Sequence, residues 1–590
     1  MPVMTIDTLA PAFAAEFAAQ PPGEAAARSG FLAQVVDDYR PEELPDLDDR
    51  DLAAVLAEFW RFGSTAAGPG ATVRLRPAMG AGGRSLGLDL LEIAQPDSVF
   101  LVDSVMAAVT GCGAEVHAMF HPVVNRERDR WSMIQVWLSP VPDERRNVLI
   151  QQTHAAMVDV RLAVADFKPM LSLLDRTIEQ LTEMAPREAP DLGEDIEFLR
   201  WLKRGHFVFL GARVYTYPRD AAGGYADEQP DFAPEDGLGV LRDPMRLVLR
   251  RRDEPNVLSP DVRYRMDRPD PVIVAKATLP SRVYRRGPMD YIGVRQYGVD
   301  GSALGEVRFV GLFTPAAYHE PIRETPMLRS KTHRVMQHAG FPPGSHNATR
   351  LASILETYPR DELFQVRADE LLTMALDVLH LSDRPRFKIF VRHDPFGRFV
   401  SILFFAPRDR YDARLRLRAG EILAEAFGGR IASAYPSFSD SPLARVHFVL
   451  QLTPRSEPAP APDLLALEAQ IARAARTWSD DFEAALRAAI TAPGEAARAF
   501  QTYGQAFPAG YRDRQSVDEA LVDMAIVDLM ASDAASRVRA YRRAGDGPSR
   551  FRFKFYRRGH EPAPLSRILP ILSQMGLNAL TEEGLSLIHI

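Results

Sequence analysis

The sequence predicts an α+β fold repeated over several domains. Strand–helix–strand–strand–helix patterns recur in separate segments, and polar, proline-rich breaks divide them. The composition is that of ordinary folded protein, 46% apolar and 25% charged, which excludes disordered, collagen-like and disulfide-scaffold classes. A length of 590 residues predicts roughly four domains at about 150 residues each. The net charge of −7 argues against a dedicated nucleic-acid binder, whose domains are usually basic. A single cysteine, Cys112, excludes an internal disulfide and a cysteine-rich metal site, and suits a reducing cytosol. Met1–Gln20 shows no basic-then-apolar export signal, and the longest strongly apolar run, Phe399–Ala406, has the length of a buried strand. No membrane association is expected.

The first domain is read over residues 31–184. Leu86–Ile93 alternates as a strand. Asp97 or Ser98 then caps a helix carrying Val99, Val102, Val105, Met106 and Val109, which Gly111-Cys112-Gly113 ends. Strands Ala114–Val124 and Ser132–Leu138 flank the charged turn Asn125–Arg130, and a long helix from Asp143 to about Ala165 follows. This order is most of a βαββαβ sandwich, a sheet with helices on one face. Residues 195–318 read as β-rich, with strands Phe207–Tyr217, Val272–Ala277, Asp290–Tyr297 and Glu306–Phe313. A helical connector, 319–382, has Asp361–Leu381 as its clearest helix.

Residues 386–490 repeat the sandwich pattern. Phe387–Arg392 and Arg398–Phe405 form a hairpin around Asp394-Pro395-Phe396-Gly397, where Pro sets the second turn position and Gly closes the turn. Asp412 caps a helix that Gly428-Gly429 stops, strands Arg430–Tyr435 and Ala444–Leu452 follow, and a helix runs from Leu464 to about Ile490. Residues 491–545 read as a helical linker. In 550–590, strand Phe551–Tyr556, helix Leu565–Met575 and the start of a strand at Leu577–Leu580 leave a third unit unfinished. The polypeptide is therefore expected to be the front part of something longer.

Chemical motifs are sparse. Gly80-Ala-Gly-Gly83 precedes a strand, whereas a dinucleotide fingerprint must follow one and open a helix. Ser330-Lys331-Thr332 lacks the upstream glycines of a phosphate loop. His117 and His121 alternate on one strand without a third ligand nearby and read as structural. Arg550–Arg558 interleaves aromatics and cations, but period-2 alternation puts Phe551, Phe553 and Phe555 on one face, to be covered by Leu565–Met575, and no nucleic acid is expected. Arg408-Asp409-Arg410 sits at a strand-to-helix junction, where arginines beside free backbone donors suit a carboxylate or phosphate effector; a solvated loop with local ion pairs is the alternative.

Several longer strings are more specific. Tyr291–Arg295, Gly305–Thr314, Ala339–His346, Ile354–Phe364, Val391–Ser401, Pro407–Tyr411 and Glu421–Gly429, in this order and spacing, resemble the N-terminal half of the large bacterial NAD-specific glutamate dehydrogenases. The resemblance implies ACT-like (ferredoxin-like) domains at 31–184 and 386–490, a PAS-like domain at 195–318, and a truncated third ACT-like domain at 550–590. It implies a cytoplasmic homo-oligomer, with a tetramer as one candidate, an amino-acid effector, and oxidative deamination of L-glutamate with NAD in the complete enzyme. None of the six lysines (Lys168, Lys203, Lys276, Lys331, Lys388, Lys554) lies in a glycine-rich active-site context. No catalytic, cofactor-binding or metal-ligating residue is therefore assigned, no NAD is expected on this chain, and the chain alone is expected to be inactive. The alternative reading is a non-enzymatic ACT-type amino-acid-sensing or scaffolding protein.

Overall fold

The computed structural model describes residues 6–19, 24–44, 47–126, 129–186, 191–226, 228, 230–249, 270–394, 399–439, 441–453, 461–533, 536–542, 550–557 and 565–577. Among them, no helix is long and apolar enough to cross a membrane.

The first sheet contains β1 (Thr72–Met79), β2 (Ser85–Pro96), β3 (Val116–Phe120), β4 (Val123–Arg126) and β5 (Asp129–Leu138), in the order β1-β2-β5-β3, with β4 also paired to β5. Alternation along its strands gives it two apolar faces. Leu91, Ile93, Ile134 and Val136 join the core of helices Leu101–Gly111 and Asp143–Ala165. Leu90, Ala94, Met133 and Trp137 join the core of helices Ile6–Ala15, Ala25–Asp38 and Asp49–Thr65. The sheet is thus covered on both faces, not on the single face expected. Strand β1 escapes sequence reading because Arg74 and Arg76 interrupt its apolar pattern; both reach the buried Glu92, at 2.5 and 2.9 Å. Neither Asp97 nor Ser98 caps the next helix, which starts at Leu101 after Phe100 turns the chain at φ 69°.

The second sheet, β6 (Phe207–Thr216), β7 (Leu238–Gly239), β8 (Val272–Ser281), β9 (Gly287–Tyr297) and β10 (Ala303–Phe313), is antiparallel in the order β7-β6-β10-β9-β8. One face, with Leu210, Tyr291, Val310 and Leu312, shares the core of helix Asp143–Ala165 with the first sheet. The other, with Phe209, Val274, Ile292 and Phe309, packs on helices Phe167–Met184 and Leu192–Trp201 and on the connector. One apolar core therefore runs through both units.

The connector comprises helices Leu328–Ala339, His346–Thr357, Arg360–Gln365 and Ala368–Asp383. The single helix expected over Asp361–Leu381 is in fact two, broken at Val366-Arg367. The third sheet, β11 (Lys388–His393), β12 (Phe399–Pro407), β13 (Gly429–Phe438) and β14 (Leu443–Leu452), has the order β11-β12-β14-β13. Its Val400, Ile402, Phe404, Val446 and Phe448 face helices Ala413–Phe427 and Leu464–Ala474, while Phe390, Leu403, Phe405 and Leu443 pack on the connector. Asp412 caps the first of these helices as expected, accepting from the Leu415 N–H, and Gly428 ends it at φ 64°. The expected hairpin turn at 395–398 lies outside the described residues. The helix expected over Leu464–Ile490 is also two, because Thr477 and Asp480 form a capping box that starts a new one, Trp478–Ala489.

A helical cluster around Phe482, Leu486, Phe507 and Tyr511 follows. Part of the expected linker 491–545 is a strand: β15 (Ser536–Tyr541) pairs with β16 (Arg552–Arg557). The faces of β16 are the reverse of expectation. Lys554 and the Tyr556 hydroxyl turn inward to Asp523, at 2.6 and 2.5 Å, while Phe551 and Phe555 are exposed. Helix Leu565–Gln574 lies where the apolar stripe places it; residues 578–580 of the last expected strand lie outside the described residues.

Candidate functional site

The six-residue helix Arg360–Gln365 follows Pro359 and opens with two carboxylates in its first turn, where the helix dipole favours negative charge. Successive residues point in different directions, so these carboxylates serve different domains. Asp361 accepts from Lys276 Nζ of β8 at 3.0 Å and from the Tyr318 hydroxyl at 2.8 Å; Lys276 also donates to Asp290 of β9 at 2.5 Å. Glu362 accepts two parallel bonds from Arg392 of β11, at 2.7 and 2.9 Å, and stands 3.6 Å from His447 Nε2 of β14. His447 in turn meets Ser401 Oγ of β12 at 2.9 Å. One helical turn therefore ties the second sheet to the third.

The other end of this helix is held by a lysine. Lys331 Nζ donates to the carbonyls of Leu363, Phe364 and Val366 at 2.8, 2.9 and 2.8 Å, satisfying acceptors that the break at Val366-Arg367 leaves without helical partners. Arg360 extends back to the Glu320 carbonyl at 2.7 Å and to Glu356 at 2.8 Å.

Burial and charge set the ionisation of these groups. Burial alone would lower the Lys276 pKa, but the carboxylates of Asp290 and Asp361 outweigh it and hold the ammonium charged well above its usual range. Burial raises the Asp290 pKa, and the Asp361 charge beside it adds to the rise. Asp361 goes the other way: Lys276 and Tyr318 overcome the effect of burial and lower it. Glu362 is buried too, yet Arg392 and His447 hold its carboxyl far below the usual carboxylate range. Burial, with Arg334 and Arg392, pushes the Lys331 pKa down to about 7, and among the described residues no carboxylate pairs with it.

Between β8–β9, the helix and the third sheet lies a cavity of about 40 Å³. Lys276, Arg285, Asp361, Glu362, Arg392 and Asp394 all line it, and Ser401, Ser433 and Tyr435 close the third-sheet side. Arg285 differs from the other two cations. Its Nη2 makes only a 3.2 Å contact to the Tyr318 hydroxyl and a 3.5 Å contact to the Phe313 carbonyl, and it forms no ion pair among the described residues. The cavity thus brings charged groups of both signs from the second sheet, the connector and the third sheet to one place.

The residues singled out from sequence lie elsewhere. Arg408, Asp409 and Arg410 form an exposed single turn; Arg408 donates to the Ser439 carbonyl at 2.6 Å and Arg410 pairs with Asp480. They do not line the cavity. His117 and His121 each bond a serine hydroxyl, Ser139 and Ser132. Sequence reading missed Lys276, Arg285, Asp290 and His447 as a group, because strands far apart in the chain bring them together. Asp361, Glu362 and Arg392 do lie in the distinctive strings Ile354–Phe364 and Val391–Ser401, the one signal that pointed here.

Stacked sheet-and-helix units joined by a charged connector define a multidomain α+β protein. Family models named for glutamate dehydrogenase match in chain order: ACT1 domain at residues 31–157, helical motif 1 at 325–384, ACT2 domain at 388–479, helical motif 2 at 485–529 and ACT3 domain at 535–588. The NAD-specific glutamate dehydrogenase of Halomonas elongata is 32% identical over 574 residues, covering 92% of this chain and 35% of that protein. The Pseudomonas aeruginosa protein of the same name is 31% identical over 532 residues, 85% of this chain and 31% of its own length. One from Mycobacterium tuberculosis is 31% identical over 468 residues, 77% and 27%. The chain belongs to the NAD-specific glutamate dehydrogenase family, and it spans about a third of the length of these curated relatives.

The described residues do not fit a dinucleotide. A pyrophosphate site of the usual kind needs a parallel strand–turn–helix unit, whereas every strand pairing here is antiparallel. The Gly80–Gly83 turn joins β1 to β2 as a hairpin and opens no long helix.

Proposed function

We propose that this chain is the N-terminal regulatory and assembly-forming region of a cytoplasmic, homo-oligomeric NAD-dependent glutamate dehydrogenase. The whole enzyme converts L-glutamate, NAD and water to 2-oxoglutarate, ammonium and NADH, with the catalytic domain and the NAD site outside this chain. In this reading 31–184 and 386–490 are ACT-like units, 195–318 is PAS-like, and 550–590 opens a third ACT-like unit.

The observation that carries the regulatory part is the helix Arg360–Gln365. Its buried ion pairs reach the second sheet through Asp361 and the third through Glu362, so a change in the packing of one sheet is passed to the other. Assembly is supported by β13, the outer strand of the third sheet, which carries the exposed Ile431, Tyr435 and Phe438. An open, partly apolar strand edge is a template for pairing with a second copy. The test compares this chain with a version extended through the rest of the reading frame: the extended protein forms NADH from glutamate and NAD, and this chain does not.

A further inference from the structure

Four non-glycine residues among those described have positive φ: Phe100, Asp191, Tyr284 and Met327. A side chain strains the backbone there, and the conformation persists only where the surroundings hold it. Two of the four hold each other. Phe100, at φ 69°, precedes helix Leu101–Gly111 on the first sheet, and Tyr284, at φ 68°, lies in the loop between β8 and β9. Their rings meet edge to face with centroids 5.7 Å apart. The Tyr284 N–H donates to Ser104 Oγ at 3.0 Å, and that hydroxyl donates to the Phe100 carbonyl at 2.6 Å. Ser104 is fully buried, so one hydroxyl joins the two strained residues.

The residues around Tyr284 reach in opposite directions. Arg286 donates to Gln152 of helix Asp143–Ala165 at 3.3 Å, and a Cβ on Gly111 would fall on its guanidinium. Arg282 reaches Asp159 of the same long helix at 3.4 Å. Arg285 turns the other way. Its Nη2 donates to the Tyr318 hydroxyl at 3.2 Å, and that hydroxyl donates to Asp361 at 2.8 Å. A hydroxyl has one proton, so giving it to Asp361 leaves only lone pairs for Arg285, and each bond fixes the direction of the other. A polar chain therefore runs from Ser104, through the backbone of Tyr284 and Arg285, to the first turn of helix Arg360–Gln365. We propose that the loop 282–286 is a strained latch that passes the position of helix Leu101–Gly111 to the connector. Strain supplies the second state that such a device needs. When the helix moves away, Tyr284 loses Ser104 and Phe100, its backbone relaxes, and Arg285 turns off the Tyr318 hydroxyl. The latch goes beyond the junction proposed above, because it links the first sheet to the same connector helix.

Hydrogen exchange of the 590-residue chain, read by mass spectrometry, tests the latch. Ser104→Ala removes the acceptor of the Tyr284 N–H, and Tyr284→Gly removes the ring and the strain together. Each should speed exchange of residues 360–368 by roughly two- to thirtyfold, the range that coupling through packed networks spans. Ser104→Ala is the milder change and covers the case in which Tyr284→Gly folds poorly. In an Arg285→Gln background, Ser104→Ala should no longer alter exchange at 360–368. Gln34→Ala serves as the control, because its side chain holds the Val123 backbone on the opposite face of the first sheet. It should leave 360–368 unchanged. Exchange at 360–368 that neither loop variant alters would overturn the proposal. So would an effect of Ser104→Ala that persists without Arg285, or one that Gln34→Ala matches. No turnover is measured, so the result stands or falls separately from the glutamate dehydrogenase reading.

Discussion

Glu362 and Arg392 meet through two parallel N–H···O bonds of 2.7 and 2.9 Å between the connector and the third sheet, with side chains only 6% and 13% exposed. Removing one partner of a buried pair strands the other charge and costs about 3–5 kcal/mol. Glu362→Gln should therefore lower the unfolding midpoint of the third-sheet unit in urea, followed by fluorescence and near-UV circular dichroism. An unchanged midpoint would show that the junction carries no load.

The same pair gives a pH dependence with a definite sign. Because Arg392 and His447 depress the Glu362 pKa in the folded state, its stabilisation is fully present above the ordinary glutamate value of about 4.3 and is lost as pH falls toward the folded value. Acid titration should show the wild-type third-sheet unit weakening below that point, and Glu362→Gln should flatten that part of the curve.

Lys276 sits between two carboxylates, Asp290 at 2.5 Å and Asp361 at 3.0 Å. Lys276→Met leaves two buried acids facing each other and should destabilise more than Asp361→Asn, which leaves Lys276 a remaining partner. In a double-mutant cycle the two changes should be non-additive, by about 0.5–3 kcal/mol. Simple additivity would mean that the two residues are not coupled.

Lys331→Met should release three backbone carbonyls at the end of the Arg360–Gln365 helix. Burying acceptors without donors costs about 1–3 kcal/mol, and hydrogen exchange of amides in 363–371 should accelerate while that of β6–β10 stays as it is. Uniform acceleration across the chain would point to global unfolding instead.

On the outer strand, Ile431→Lys with Phe438→Lys should lower the molar mass measured by light scattering if β13 pairs between copies. Both side chains are exposed, so folding should be kept.

Much of the architecture was legible because periodicity reports burial directly. The strands around Phe399–Phe405 and Glu306–Phe313 and the helix capped by Asp412 were read from apolar runs of strand length and a capping residue, and the structure places them there. What was missed depends on tertiary partners. The break at Val366-Arg367 has no glycine or proline to announce it and is held by Lys331, about 35 residues upstream. Strand β1 hides its role behind Arg74 and Arg76, whose partner Glu92 lies on the neighbouring strand. The cavity could not be read at all: its lining comes from residues 276 to 449, and only folding brings them within reach of one another.

The most direct test is glutamate-dependent formation of NADH, measured by absorbance with this chain and with the extended protein side by side. Turnover should require the extension and be absent from the 590-residue chain at any NAD or glutamate concentration. Glutamate oxidation by the 590-residue chain on its own, or an extended protein that binds neither NAD nor glutamate, would contradict the assignment of a regulatory region to an enzyme encoded beyond it.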